Sequence, residues 1–185
     1  MIQHVEGFKF PIGEIGNWEG KGWRSGRCVE MQGLLEEAGF KCRILEGDIR
    51  SELWLKVWGS CVFNPVSALT HSTLSEMLEK EETKKWVRGC MREVQEVGEG
   101  FGLKMRVELE RRLEGARLVG GHKTSMLQDV EGGKGIEIEG ICGAVVELGK
   151  MVGVDCRSVE AVYVCTKLLA RQLEKEKAKV VFVPR

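Results

Sequence analysis

Proline is nearly missing from this sequence, with three residues among 185, and so are tyrosine, with one, and histidine, with three. Scarce proline leaves long segments without the strongest helix breaker. A membrane-length apolar run is absent as well. The longest stretch without Asp, Glu, Lys or Arg, residues 57–75, holds Asn64, Pro65, His71 and several Ser and Thr, far too polar for a bilayer. Residues 1–11 lack the charged, apolar and small-residue order of a secretory leader. An excess of either charge is lacking too, since 28 Lys and Arg balance 28 Asp and Glu. That balance argues against an electrostatic nucleic-acid binder, and 43% apolar content argues against disorder.

Metal-ligand spacing is the next absence. Seven cysteines form an odd set, and no two stand at the spacing of a zinc knuckle. Most sit among apolar neighbours, so they read as reduced core thiols, and a cytoplasmic protein is expected. His4, His71 and His122 are far apart in sequence and match no metal motif. Phosphate-loop order is lacking as well. Gly115, Gly120, Gly121, Lys123 and Thr124 imitate one, but Gly121 and His122 separate the spacer from the Lys-Thr pair. Gly98, Gly100 and Gly102 imitate part of a dinucleotide fingerprint, yet they follow a helical pattern and read as its termination. A complete GxGxxG is found nowhere.

What the sequence does have is glycine, 24 residues, six of them between Gly7 and Gly26. In that region Phe8, Phe10 and Ile12 alternate with Lys9, Pro11 and Gly13 as a short strand would. Residues 27–38 predict a helix with Val29, Met31, Leu34 and Leu35 inward, stopped by Gly39, and 41–49 predict a second strand. Beyond residue 50 the periods are helical: 51–80, 83–100, 106–118, 136–153 and 157–178. We therefore expect a boundary near residue 50, separating a short α/β piece (1–50) from a mainly α domain (51–185). The charged run 171–179 reads as a solvated helix face.

Residues 53–69 are apolar nearly all round, so polar side chains there stand out. Lys56 is one, and Ser60 and Asn64 follow at i+4 and i+8, within about 80° of arc on an ideal helix. A snorkelling lysine with two satisfied polar neighbours is the plain alternative to a functional stripe. In 136–153 the residues Ile141, Ala144, Val145 and Leu148 mark an inward face, and Glu137 falls near its middle. A first-turn carboxylate answering the helix dipole is the plain alternative there. Two misplaced charges of opposite sign predict a partly buried Lys56–Glu137 ion pair.

At these residues the sequence resembles a known family. Leu53-Trp54-Leu55-Lys56-Val57-Trp58-Gly59-Ser60-Cys61-Val62-Phe63-Asn64-Pro65, Lys123-Thr124-Ser125-Met126-Leu127-Gln128-Asp129, and Glu137-Ile138-Glu139 with Gly143 resemble ketopantoate reductase (2-dehydropantoate 2-reductase). Phe10-Pro11-Ile12-Gly13-Glu14 and the stretch from Gly39-Phe40 through Asp48-Ile49 look like the last strands and helix of that family's dinucleotide-binding Rossmann domain. The rest looks like its helical domain of 6-phosphogluconate dehydrogenase C-terminal type.

The resemblance implies NADPH-dependent reduction of a 2-keto acid, ketopantoate to pantoate, on the way to pantothenate and coenzyme A. It implies Lys56 as general acid, Glu137 as the carboxylate that orients it and contacts substrate or the nicotinamide ribose, Ser125 as a binder of the substrate carboxylate, and Asn64 as a ligand of its hydroxyl. At Ser60, a substrate contact, the family pattern has Asn. The Gly-rich phosphate loop has no counterpart, so half an active site is expected, with no useful NADPH affinity. The candidate partners are a small 2-keto acid and a second copy of the chain, with neither membrane nor nucleic acid. Two other readings stay open: a non-catalytic helical module kept for dimerisation or small-acid binding, and a reductase of another 2-keto acid.

Overall fold

The computed structural model describes residues 9–15, 25–176 and 180–181. They fall into two compact units, Met1–Leu53 and Trp54–Arg185. Phe8 and His4 lie outside the described residues, as do 177–179 of the charged C-terminal run.

In the first unit β1 (Lys9–Ile12) pairs in parallel with β2 (Lys41–Ile44), in register from Lys9 opposite Lys41 to Ile12 opposite Ile44. Parallel neighbours cannot be joined by a tight turn. Here α1 (Gly26–Glu37) lies between them in sequence, started by Ser25, whose hydroxyl accepts from the Cys28 N–H, and followed by Gly39 at φ +87°. β2 is shorter than its pattern predicted. Gly47 at φ +116° turns the chain, and the Asp48 carboxylate accepts the Arg50 N–H at 2.9 Å, which opens the next helix.

The expected inward face of α1 is corrected. Val29, Met31 and Leu34 are 47%, 50% and 55% exposed. Helical periodicity shows that a stripe exists, but two four-residue strands offer too little surface to cover it.

The division between units falls inside α2 (Ile49–Thr70). There follow α3 (Leu74–Met77), α4 (Glu81–Gly100), α5 (Leu109–Leu118), α6 (Ser125–Gly132), a π-helical segment (Glu139–Gly143), α7 (Ala144–Val152) and α8 (Arg157–Glu176). The chain is mainly α, as its periods predicted, with a short α/β unit ahead of the helices. The expected helix 51–80 is two helices. α2 stops at Thr70, His71 takes φ +59°, and a Thr73/Glu76 capping box starts α3. Helix α6 was not foreseen.

The core forms where α4 presents Val87, Cys90, Met91, Val94 and Val97, an i, i+3, i+4, i+7, i+10 stripe, to Trp58, Cys61, Val62 and Phe63 of α2. The indole N–H of Trp58 donates to the Met91 carbonyl at 2.6 Å and that of Trp54 to the Val94 carbonyl at 3.0 Å. Each indole thus buries its ring without stranding its polar atom. Six cysteines are buried as expected, but Cys165 on α8 is exposed.

Candidate active site

Helix α2 runs unbroken from Ile49 to Thr70, so Lys56, Ser60 and Asn64 share one stripe of it. Lys56 is exposed and Ser60 and Asn64 are half-buried, while Trp58, Gly59, Cys61, Val62 and Phe63 beside them are buried. The stripe is the open side of a helix stretch that buries Trp58, Gly59 and Cys61 to Phe63 beside it. Pro65 inside α2 removes the N–H that would bond the Cys61 carbonyl. The Cys142 thiol supplies the missing donor at 3.1 Å, tying the π-helical segment to α2.

Ser125 is the first residue of α6 and is exposed. Capping is done by Thr124, 6% exposed, whose hydroxyl accepts the Leu127 N–H at 3.2 Å. The Ser125 hydroxyl is therefore not spent on the helix start, where N–H groups and the dipole favour a negative group.

Glu137 departs from expectation. It is exposed and non-helical, preceding buried Ile138, and the π-helical segment follows. Placing it on an inward face assumed a straight α-helix from residue 136. With no helix at 134–137 and a π-turn after it, that phase is lost. Lys56 and Glu137, both exposed, form no ion pair with each other among the described residues, so the predicted partly buried pair is corrected. The carboxylate that does find a cation at this helix start is Glu139, 2.5 Å from Lys167 Nζ and 2.5 Å from the Tyr163 hydroxyl that donates to it.

Lys56, Ser60 and Asn64 are thus brought together by α2, whereas Ser125 and Glu137 stand at the starts of other helices. A cavity of about 780 Å³ opens elsewhere, among Arg92, Gln95, Glu99, Lys104, Glu108 and Glu110, and none of the five residues lines it. Among the described residues no cluster of His, Cys, Asp and Glu could hold a metal ion, and no helix is long and apolar enough to cross a membrane.

Comparison with known proteins bears on this stripe directly. The family model described as ketopantoate reductase PanE/ApbA C terminal matches residues 48–170, a span that contains all five residues. The chain belongs to the ketopantoate reductase family. It is 41% identical over 170 residues to a 2-dehydropantoate 2-reductase of Mesorhizobium japonicum, covering 92% of this chain and 50% of that protein. Among solved structures it is similar to the 2-dehydropantoate 2-reductase of Methylococcus capsulatus, with TM-score 0.72, 29% identity and coverage of 90% of this chain and 55% of that one. The fold is shared with a dimeric ketopantoate reductase of Staphylococcus aureus, with TM-score 0.73, 16% identity and coverage of 92% and 56%. The chain spans about half the length of the curated relative from Mesorhizobium, as its 50% coverage shows.

One residue of this ketopantoate reductase family member escaped the sequence reading. Arg112 of α5 lays its guanidinium over Gly59, so that a Cβ built on Gly59 would stand 2.7 Å from Nη2, 3.5 Å from Cζ and 3.6 Å from Nε. Its Nε is buried with no hydrogen-bond partner among the described residues. Burial alone pulls this guanidinium below its ordinary value, with no acid acting the other way, and it stays charged. The signal was there: Leu109, Leu113 and Ala116 mark the inward face of α5, and Arg112 lies on it.

Proposed function

We propose that this chain is the substrate-holding half of an NADPH-dependent 2-dehydropantoate 2-reductase. In this reading residues 1–50 end a dinucleotide-binding domain and 51–185 form the helical substrate domain. The observation that carries it is the 41% identity to the Mesorhizobium enzyme across 92% of this chain. It is supported by Lys56, Ser60 and Asn64 forming one polar stripe on a helix whose residues Trp58, Gly59 and Cys61 to Phe63 are buried. The chain lacks a GxGxxG, so its own residues offer no Gly-rich cradle for a pyrophosphate. They fit only the substrate side of the cofactor, where Glu137 would contact the nicotinamide ribose.

NADPH, when bound, would supply hydride chemistry for the carbonyl carbon. The Lys56 ammonium donates a proton to the carbonyl oxygen as negative charge develops there. Half-buried Ser60 and Asn64, one and two turns along α2, hold the hydroxyl-bearing part of the substrate by hydrogen bonds. Ser125, with the N–H groups of α6, receives the carboxylate. Glu137 orients the lysine once substrate is bound, a contact that hydrogen-bond geometry in the free protein need not show. A homodimer is the assembly proposed, following the dimeric Staphylococcus aureus relative.

The test is NADPH oxidation with ketopantoate, measured on the protein joined to a relative's dinucleotide-binding domain. Turnover is expected, and Lys56→Ala should lower kcat by roughly 10²- to 10⁴-fold, the usual worth of a positioned acid. A well-folded fusion that binds NADPH and turns over no 2-keto acid would overturn the reading.

A further inference from the structure

The charges around Arg112 are answered and Arg112 is not. On the same helix Glu110 is held by Arg88 at 2.8 Å, and Arg117 pairs with Glu114 at 2.8 Å. Arg112 is more deeply placed than either arginine, yet no carboxylate faces it among the described residues and its Nε meets no acceptor. A desolvated cation with unspent donors is costly to keep, and such groups in folded proteins call for an ion or ligand to complete them.

Its position says which kind. Gly59, the floor beneath the guanidinium, is three residues after Lys56 and one before Ser60. On the helix an i, i+3 pair shares a face, with Cβ positions about 5–6 Å apart. The fork of Arg112 therefore lies one turn from the lysine, beside the polar stripe. Glycine is a poor residue for a helix interior, and at this position its missing side chain is what admits the guanidinium. Any Cβ would stand 2.7 Å from Nη2 and push it off.

We propose that Arg112 is a binding residue for the substrate carboxylate, selecting 2-oxo acids over neutral carbonyl compounds; this rests on the reductase reading above. A 2-oxo acid carries its carboxylate on the carbon next to the ketone, so its two oxygen functions are neighbours. Two cationic donors one helical turn apart match that pattern, the lysine as a point charge at the ketone oxygen and the planar guanidinium as a two-pronged donor to the carboxylate. Arg112 offers a carboxylate a charge, which the Ser125 hydroxyl cannot. No covalent step is involved; Arg112 holds and discriminates.

The test uses the 185-residue chain and the Nε–H resonance of Arg112 in ¹⁵N spectra, assigned by its loss in Arg112→Lys. Sodium acetate, sodium chloride at equal ionic strength, 3-methyl-2-oxobutanoate and the neutral amide of that acid are titrated in turn. Saturable shifts with acetate and with the 2-oxo acid, and none with chloride or the amide, are expected. Arg112→Gln should then raise the dissociation constant of the 2-oxo acid tenfold or more. A response to acetate but none to the 2-oxo acid would keep the anion site and overturn its assignment to this substrate. Silence of the resonance towards both anions in a folded chain would overturn the proposal. Binding of the 2-oxo acid seen only at other residues would do the same while leaving the reductase reading standing.

Discussion

The Cys142 thiol donates to the Cys61 carbonyl at 3.1 Å, the carbonyl that Pro65, four residues on, leaves without its helical partner. Both cysteines are buried, Cys61 at 2% and Cys142 at 0% exposure, so water cannot fill the gap. The neighbouring Cys142 side chain first, and burial second, push the Cys61 thiol well above its ordinary value. The two buried side chains thus act as structure.

Cys142→Ala should accordingly destabilise the protein by about 1–3 kcal/mol, the cost of a stranded buried carbonyl plus a small cavity. Pro65→Ala restores an N–H to the helix. In that background Cys142→Ala should cost measurably less, a coupling that a double-mutant cycle of urea unfolding resolves. Equal costs in both backgrounds would show that Cys142 only fills space.

The indole of Trp54 occupies the space that a side chain at Gly98 would need, with the built Cβ 2.2 Å from Nε1. Gly98 is thus a packing glycine inside α4, and termination falls to Gly100, the last helical residue, and to Gly102 at φ +74°. Gly98→Ala should cost about 1–3 kcal/mol through overpacking, and about 1 more if the Trp54 bond to Val94 is lost. Gly89 on the same helix meets nothing within 4 Å. Gly89→Ala should stabilise by about 0.5–1 kcal/mol through propensity alone. Thermal unfolding of both variants decides whether space or propensity governs α4.

The α2 stripe was legible because its surroundings are apolar enough for three polar residues to stand out. Arg112 falls on the apolar face of α5, but no local pattern says that its side chain reaches α2 at Gly59. That meeting is a tertiary fact. Helix α6 was hidden because its eight residues are bracketed by Gly120, Gly121 and Gly133, too short a run to establish a period. The face of α1 was read correctly as apolar and wrongly as covered, since periodicity reports a stripe and not its partner. Glu137 was misplaced because one π-turn breaks the phase on which an inward assignment depends.

Glu139 carries a prediction in pH. Its carboxyl is held below the usual carboxylate range by the Lys167 ammonium first and the Tyr163 hydroxyl second, and Lys167 is raised in return by Glu139 and then Tyr163. A lowered carboxylate adds stability that is present above its unfolded value of about 4.3 and fades as pH falls through its folded value. A raised lysine adds stability present below about 10.4 and lost as pH climbs past it. Lys167→Met should therefore be less stable than the parent at neutral pH, with a difference that narrows in acid below about pH 4.3. Urea midpoints from pH 3 to 7 measure it, and a difference constant across that range would assign the loss to packing.

Thr124 and Ser125 are adjacent hydroxyls with separable duties. Thr124 accepts the Leu127 N–H at 3.2 Å and is 6% exposed, so Thr124→Ala should cost about 1 kcal/mol as a lost N-cap, with Thr124→Ser restoring most of it. Ser125 makes no capping bond and is exposed, so Ser125→Ala should leave unfolding within about 0.5 kcal/mol of the parent. In the protein joined to a dinucleotide-binding domain, however, the same change should raise KM for ketopantoate several-fold, as expected for a hydrogen bond worth on the order of 1 kcal/mol. Loss of binding with stability intact would place Ser125 against substrate. An unchanged KM would leave α6 as a capped structural helix and move the carboxylate wholly onto the guanidinium of Arg112.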